Sequence, residues 1–293
     1  VTGATYRTVH ANGLAFEVLE AGTGDRLALC LHGFPEHAIA WEPQIPALLA
    51  LGYRVWAPNQ RGYGKTTRPA RIADYTMDHL VDDVAALIDA SGARSVTLLG
   101  HDWGAAVAWC FAIRRARPLE RLVIMNVPHP AAFAAALRTS WKQWLRSWYI
   151  LFFQLPWLPE ALLGVDGARP IADAFRRTAH HPERIPADAL ATYRAQAARP
   201  GALRAMLAWY RAAPRGMRPF VRADVARIAV PTLMLWGEDD VALGRETTAG
   251  TERYVADLRF VPLAGVSHWL QTDATERVNA ELIAFLGASE TSG

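Results

Sequence analysis

One stretch constrains this chain more than any other: the apolar run at residues 95–99, then Gly100-His101-Asp102-Trp103-Gly104, then apolar sequence to Ile113. A short continuous apolar run reads as a strand buried on both faces. The following stretch is apolar nearly all round, which reads as a buried helix. A buried strand turning directly into a buried helix requires a sheet covered by helices. Runs at 27–31, 53–57, 119–127, 231–236 and 258–262 repeat the strand signature. Residues 6–20 alternate enough for one or two opening strands, broken at Asn12-Gly13. Apolar residues at helical spacing predict a helix over 77–88, and an amphipathic helix closes the chain over 272–286. The expectation is an α/β protein whose mostly parallel central sheet is flanked by helices.

Between Pro128 and about Phe220 no strand signature occurs, and the sequence reads as several short helices. The expected division is a core from residues 1–128 and 221–293, with a helical insertion at 129–220. Insertions of this kind sit over the carboxyl ends of the strands, where open α/β sheets bind ligands. Composition removes other classes. With 52% apolar and 20% charged residues the chain is not disordered. The apolar stretch 148–158 is too short for a membrane span and contains Gln154 and Pro156. A net charge of +3 offers no nucleic-acid footprint, and the arginines between 114 and 121 read as a solvated helix end. Cys30 and Cys110 lie in apolar runs and are expected as buried free thiols. No secretory leader is visible, so a cytoplasmic location is expected.

Gly100-His101-Asp102-Trp103-Gly104 has the form G-x-D-x-G, placed between strand and helix as in a nucleophile elbow. Asp at this point is also a good helix N-cap. The chain order favours the elbow, because an acid and then a His should follow. Asp240 stands on the loop after the strand at 231–236, with Asp239 as its competitor, and His268 stands on the loop after the last strand. An elbow Asp is already ionised and can attack carbon directly, forming an alkyl ester. His268 is then free to activate water against that ester, oriented by Asp240. An oxyanion hole should come from the backbone N–H groups of Phe34 and Trp103. Pro35, in the same tight loop, is a place for a cis peptide bond. Gly64-Lys65-Thr66 ends like a phosphate-binding loop, but Asn59 stands where its first glycine belongs.

His32-Gly33-Phe34-Pro35-Glu36, Arg61-Gly62-Tyr63-Gly64, Gly100 to Ala105, Gly237 to Asp240 and Gly265 to Trp269 together resemble an α/β-hydrolase-fold epoxide hydrolase over nearly the whole chain. Within the insertion, residues 147–156 and Trp209-Tyr210-Arg211 are similar to the segments bearing the two cap tyrosines of that family. The resemblance implies that Tyr149 and Tyr210 point toward Asp102 and bind the epoxide oxygen. No cofactor is expected, and no metal, because the nine histidines lack ligand spacing. A phenol with a pKa near ~10 is neutral at pH 7, yet can donate a proton as an alkoxide develops.

Rival readings use the same fold. Haloalkane dehalogenases share the Asp nucleophile and following Trp but commonly carry a polar Asn where Phe34 stands. Haloacid enzymes need arginines that are absent near Trp103 and Ala106. A non-catalytic hydrolase-fold receptor would show a damaged catalytic set. The chain has 11 Trp, with Trp141, Trp144, Trp148 and Trp157 close together in the insertion. Beside Tyr149 and Tyr210, Trp148 and Trp209 are expected to wall a dry pocket, together with Phe34, Pro35, Trp103 and Trp269. The expected partners are an apolar aryl or long-chain epoxide and water, with no nucleic acid, in a monomer or homodimer.

Overall fold

The computed structural model describes residues 3–222 and 224–289, so the outermost residues assigned to the core lie outside the described residues. One sheet of eight described strands forms the centre, in the order β1-β2-β4-β3-β5-β6-β7-β8. These are β1 (Thr5–Ala11), β2 (Leu14–Ala21), β3 (Arg26–Leu31), β4 (Arg54–Pro58), β5 (Ser95–His101), β6 (Arg121–Met125), β7 (Thr232–Gly237) and β8 (Leu258–Leu263). β1 and β2 form an antiparallel hairpin through Asn12-Gly13, and β2 runs antiparallel to β4. All remaining pairings are parallel. The sheet is therefore mostly parallel, as expected.

Side-chain alternation divides the core into two layers. Leu27, Leu29 and Leu31 face α2 (Met77–Ser91) and α3 (Trp103–Arg114), whereas Ala28 and Cys30 face α1 (Ile45–Ala50) and α12 (Thr275–Leu286). A strand covered on both faces must be apolar at every position, which is why these strands read as continuous runs. Cys30 and Cys110 fall in different layers and remain free thiols, and burial pushes both thiol pKa values up.

Between β6 and β7 the described chain is helical: α4 (Pro130–Thr139), α5 (Trp141–Arg146), α6 (Trp148–Phe152), α7 (Leu158–Leu163), α8 (Val165–Thr178), α9 (Ala187–Ala197) and α10 (Ala202–Gly216). No described helix is long and apolar enough to cross a membrane. Two elements differ from expectation. α1 has only six residues and a Pro in its first turn, too short for a periodic signal. The expected closing helix is two, α11 (Leu270–Asp273) and α12, broken at Ala274 with φ −137°. The break accompanies a buried role for Asp273, whose carboxylate accepts N–H groups of His180, His181 and Ser267 at 3.0–3.1 Å. One carboxylate thus ties the helical segment to the loop carrying His268.

The turn from β5 into α3 is packed without room for side chains at its glycines. A Cβ on Gly104 would overlap the carbonyl oxygens of Leu31 and His32, and one on Gly100 would lie 2.7 Å from Ala105 Cα. Backbone cannot yield as a flexible side chain can. Gly104→Ala should therefore lower the free energy of unfolding by the ~1–3 kcal/mol typical of overpacking, and the denaturation midpoint with it. Urea unfolding against the unsubstituted protein measures this, and an unchanged midpoint would refute the tight contact.

Candidate active site

Asp102 sits between the end of β5 and the start of α3 at φ 48° and ψ −124°. This is a conformation an L residue adopts at a cost of about 1–3 kcal/mol. Gly33 passes so near that a Cβ there would overlap the Asp102 side chain. The approach lets the Phe34 N–H donate to Asp102 Oδ1 at 2.6 Å. The Phe34–Pro35 bond is cis, at the position the sequence suggested. The Trp103 N–H is the first amide of α3, among the groups a helix leaves unpaired.

His268 presents Nε2 to Asp102 Oδ2 at 3.5 Å and Nδ1 to Asp240 Oδ2 at 2.6 Å. Asp240, on the loop after β7, also accepts N–H groups of Ala242 at 2.7 Å and Leu243 at 3.0 Å through Oδ1. Asp239 points elsewhere and pairs with His180 at 2.9 Å. Two positioning contacts lay outside the sequence reading. Asn126, just after β6, donates to Asp240 Oδ2 and to the Ser267 carbonyl, and accepts the Gly237 N–H at 2.6 Å. His101 links Glu36 Oε2 at 2.9 Å to the backbone carbonyl of His268 at 2.8 Å. Glu36 in turn accepts the Gly33 N–H, so one buried chain joins the loops that carry Phe34 and His268. Glu36 and His101 stand inside legible motifs, but Asn126 had no signal beyond following a strand.

The charges support one another. Burial alone would raise the Asp102 pKa, but the hydrogen bond and positive charge of His268, with His101 and the Phe34 N–H, hold it below the ordinary carboxylate value. Burial would lower the His268 pKa, but the charge of Asp240 and hydrogen bonds to both carboxylates raise it well above the ordinary imidazole value. The resting site is therefore an anion beside a cation.

Above Asp102 lies a cavity of about 360 Å³, lined by Asp102, Trp103, Tyr149 and Tyr210 and by apolar side chains such as Phe133, Leu137 and Met217. Tyr149 comes from α6 and Tyr210 from α10, with ring centroids 6.1 Å apart. Burial first, and then the charge of Asp102, pushes both phenols above their ordinary value, so both keep their protons at neutral pH.

The expected wall is largely corrected. Trp103 lines the cavity, but Trp148 does not: it is 63% exposed on the outer side of α6. Adjacent helical residues point about 100° apart, so Tyr149 turns inward as Trp148 turns out. Phe34 packs edge-on against Tyr210 and Phe153. Trp209 is buried behind Trp103 with its indole N–H on the Arg61 carbonyl. Trp269 packs against His268 and donates to Thr178. These three support the site from behind, and Pro35 is likewise absent from the described lining.

The sequence matches the alpha/beta hydrolase fold family over residues 29–275. It is 36% identical to the AB hydrolase superfamily protein YfhM of Bacillus subtilis, over 97% of this chain and 98% of that protein. It is 35% identical to Epoxide hydrolase A of Mycobacterium tuberculosis, over 98% of each. The fold superposes on the crystal structure of the Bacillus megaterium epoxide hydrolase in complex with an inhibitor, with TM-score 0.87 and 28% identity, covering 96% of this chain and 100% of that one. The chain belongs to the α/β-hydrolase fold family, among its epoxide hydrolases.

Asn126 gives this geometry a test. Asn126→Ala leaves the buried Gly237 N–H unpaired, which costs about 1–3 kcal/mol. Because Asp240 also loses a donor, kcat should fall more than KM changes. Equal kcat with reduced thermal stability would leave Asn126 as scaffold alone.

Proposed function

We propose that this enzyme converts an apolar epoxide and water to a vicinal diol through a covalent ester on Asp102, with residues 129–220 as the cap over the core. The supporting observation is that one cavity brings together an ionised carboxylate and two protonated phenols. In the first half-reaction Asp102 Oδ2 attacks a ring carbon and the carbon–oxygen bond breaks. Tyr149 or Tyr210 gives its proton to the departing ring oxygen, while the other phenol hydrogen-bonds to it. Oδ1, already held by Phe34 N–H, becomes the ester carbonyl oxygen.

In the second half-reaction His268, having given its proton to the tyrosinate once esterification removes the Asp102 charge, takes a proton from water, and the hydroxide adds to the ester carbonyl carbon. Phe34 and Trp103 N–H groups stabilise the oxyanion on Oδ1. Collapse expels the alkoxide, which takes the proton of the new carboxylic acid and leaves as the diol, so the Asp102 carboxylate is restored beside protonated His268. The ion pair sets the order of events. While Asp102 is charged, His268 is held protonated and cannot act as a base. Esterification removes that charge, and the His268 pKa falls toward the value set by burial and Asp240.

Three outcomes follow. Tyr149→Phe and Tyr210→Phe should each slow epoxide opening roughly 10- to 1000-fold in rapid-mixing experiments. A double variant opening epoxides at the unsubstituted rate would remove the tyrosines from the mechanism. His268→Gln should accumulate the alkyl-enzyme, read by mass spectrometry as protein plus substrate, and release no diol. Unmodified protein after mixing with styrene oxide would count against the ester. Decay of the intermediate should rise with pH about a midpoint below the His268 pKa measured by NMR in the free enzyme. A midpoint equal to the free-enzyme value would contradict the coupling to Asp102.

A further inference from the structure

The tryptophan cluster that leaves the pocket forms a face of its own. Trp141, Trp144 and Trp148 are 67%, 54% and 63% exposed, and Leu145, Leu151 and Leu155 are exposed beside them. Spacings of three and four residues place Trp141, Trp144 and Leu145 on one side of α5 and Trp148 and Leu151 on one side of α6, with Leu155 just beyond α6. The other side is fastened to the protein. Gln143, fully buried, donates to Ser147 Oγ and the Ala242 carbonyl, each at 2.9 Å, and accepts the Gly244 N–H at 2.9 Å. Gln143 and Ser147 thus point inward while the large apolar residues point outward.

Charge on this face has one sign. Arg138, Lys142 and Arg146 are exposed along it, and no Asp or Glu occurs between Arg121 and Pro159. The carboxylate that approaches from another element is Glu246, which accepts from Ser140 at 3.2 Å and lies near Arg146 at Gly244. Among the described residues Arg138 and Lys142 enter no ion pair. Exposed tryptophan and leucine flanked by arginine and lysine is the chemistry of a helix lying in the headgroup boundary of an anionic bilayer. A two-fold contact with a second copy would set these three cations against themselves.

We propose that the outer face of α5 and α6 docks this protein on anionic membrane surfaces. The inner sides of α4 and α6 line the cavity through Leu137 and Ile150. Docking therefore lays the cavity wall against the phase in which apolar epoxides concentrate. The docking itself does not rest on the catalytic reading.

Sedimentation of the full chain with unilamellar vesicles of phosphatidylcholine, with and without phosphatidylglycerol, tests this, with tryptophan emission recorded in parallel. The chain should partition at least 10-fold more strongly onto the phosphatidylglycerol vesicles, with emission moving to shorter wavelength. Added salt should weaken the binding. Replacing Trp141, Trp144 and Leu145 together by Ser should reduce partition at least 10-fold, and Arg138→Gln with Lys142→Gln should erase the preference for anionic lipid. Failure of the unsubstituted chain to bind phosphatidylglycerol vesicles would overturn the proposal. So would a concentration-dependent dimer, seen in analytical ultracentrifugation, that the triple Ser variant abolishes, because the face would then belong to a second copy.

Discussion

Asp102 stands in a backbone conformation that costs energy in any folded state, and the surrounding structure holds it there. Strand β5 ends at His101, one residue after Gly100, α3 begins at Trp103, one residue before Gly104, and the loop after β3 lies against Gly104 and Asp102. A strained residue of this kind persists only when its neighbours over-determine it. The two core layers hold β3 and β5 in register, and the glycines let the loop close on the turn. The same approach brings Phe34 N–H to the carboxylate. The strain and the oxyanion donor are therefore consequences of one packing contact.

A second dependence is electrostatic. A buried carboxylate and a buried imidazolium would each be expensive alone. Here each offsets the other, while Asp240, Asn126 and two backbone amides share the remaining hydrogen bonds. Removing the charge on Asp102 would change the balance for His268, because that charge and its hydrogen bond help hold the imidazole protonated. The tyrosines lie outside that pair but within its field, and the negative charge of Asp102 helps keep them protonated.

Much of this was legible in the residue order. The parallel strands are buried on both faces, so they appear as unbroken apolar runs that periodicity detects. Asp102, Asp240 and His268 follow glycine-rich turns at strand ends, which mark loops above a sheet. Short α1 and the break at Ala274 were not legible, because two turns of helix carry little periodic signal and Asp273 is recruited by partners distant in sequence. The wall of the site was misread for a related reason. Composition counts tryptophans but does not say which way each one faces, and adjacent residues Trp148 and Tyr149 have opposite fates. Asn126 acts through β7 and the His268 loop, contacts that exist only after the sheet forms.

The central claim is that Asp102, and not water, attacks the epoxide. A single turnover in water enriched in heavy oxygen, with enzyme in excess over styrene oxide, tests it most directly. Hydroxide adds to the ester carbonyl, so one heavy oxygen should remain on the Asp102 peptide in mass spectra, and the first diol released should be unlabelled. Label in that first diol, with an unlabelled Asp102 peptide, would mean that water opens the ring directly and would contradict the account.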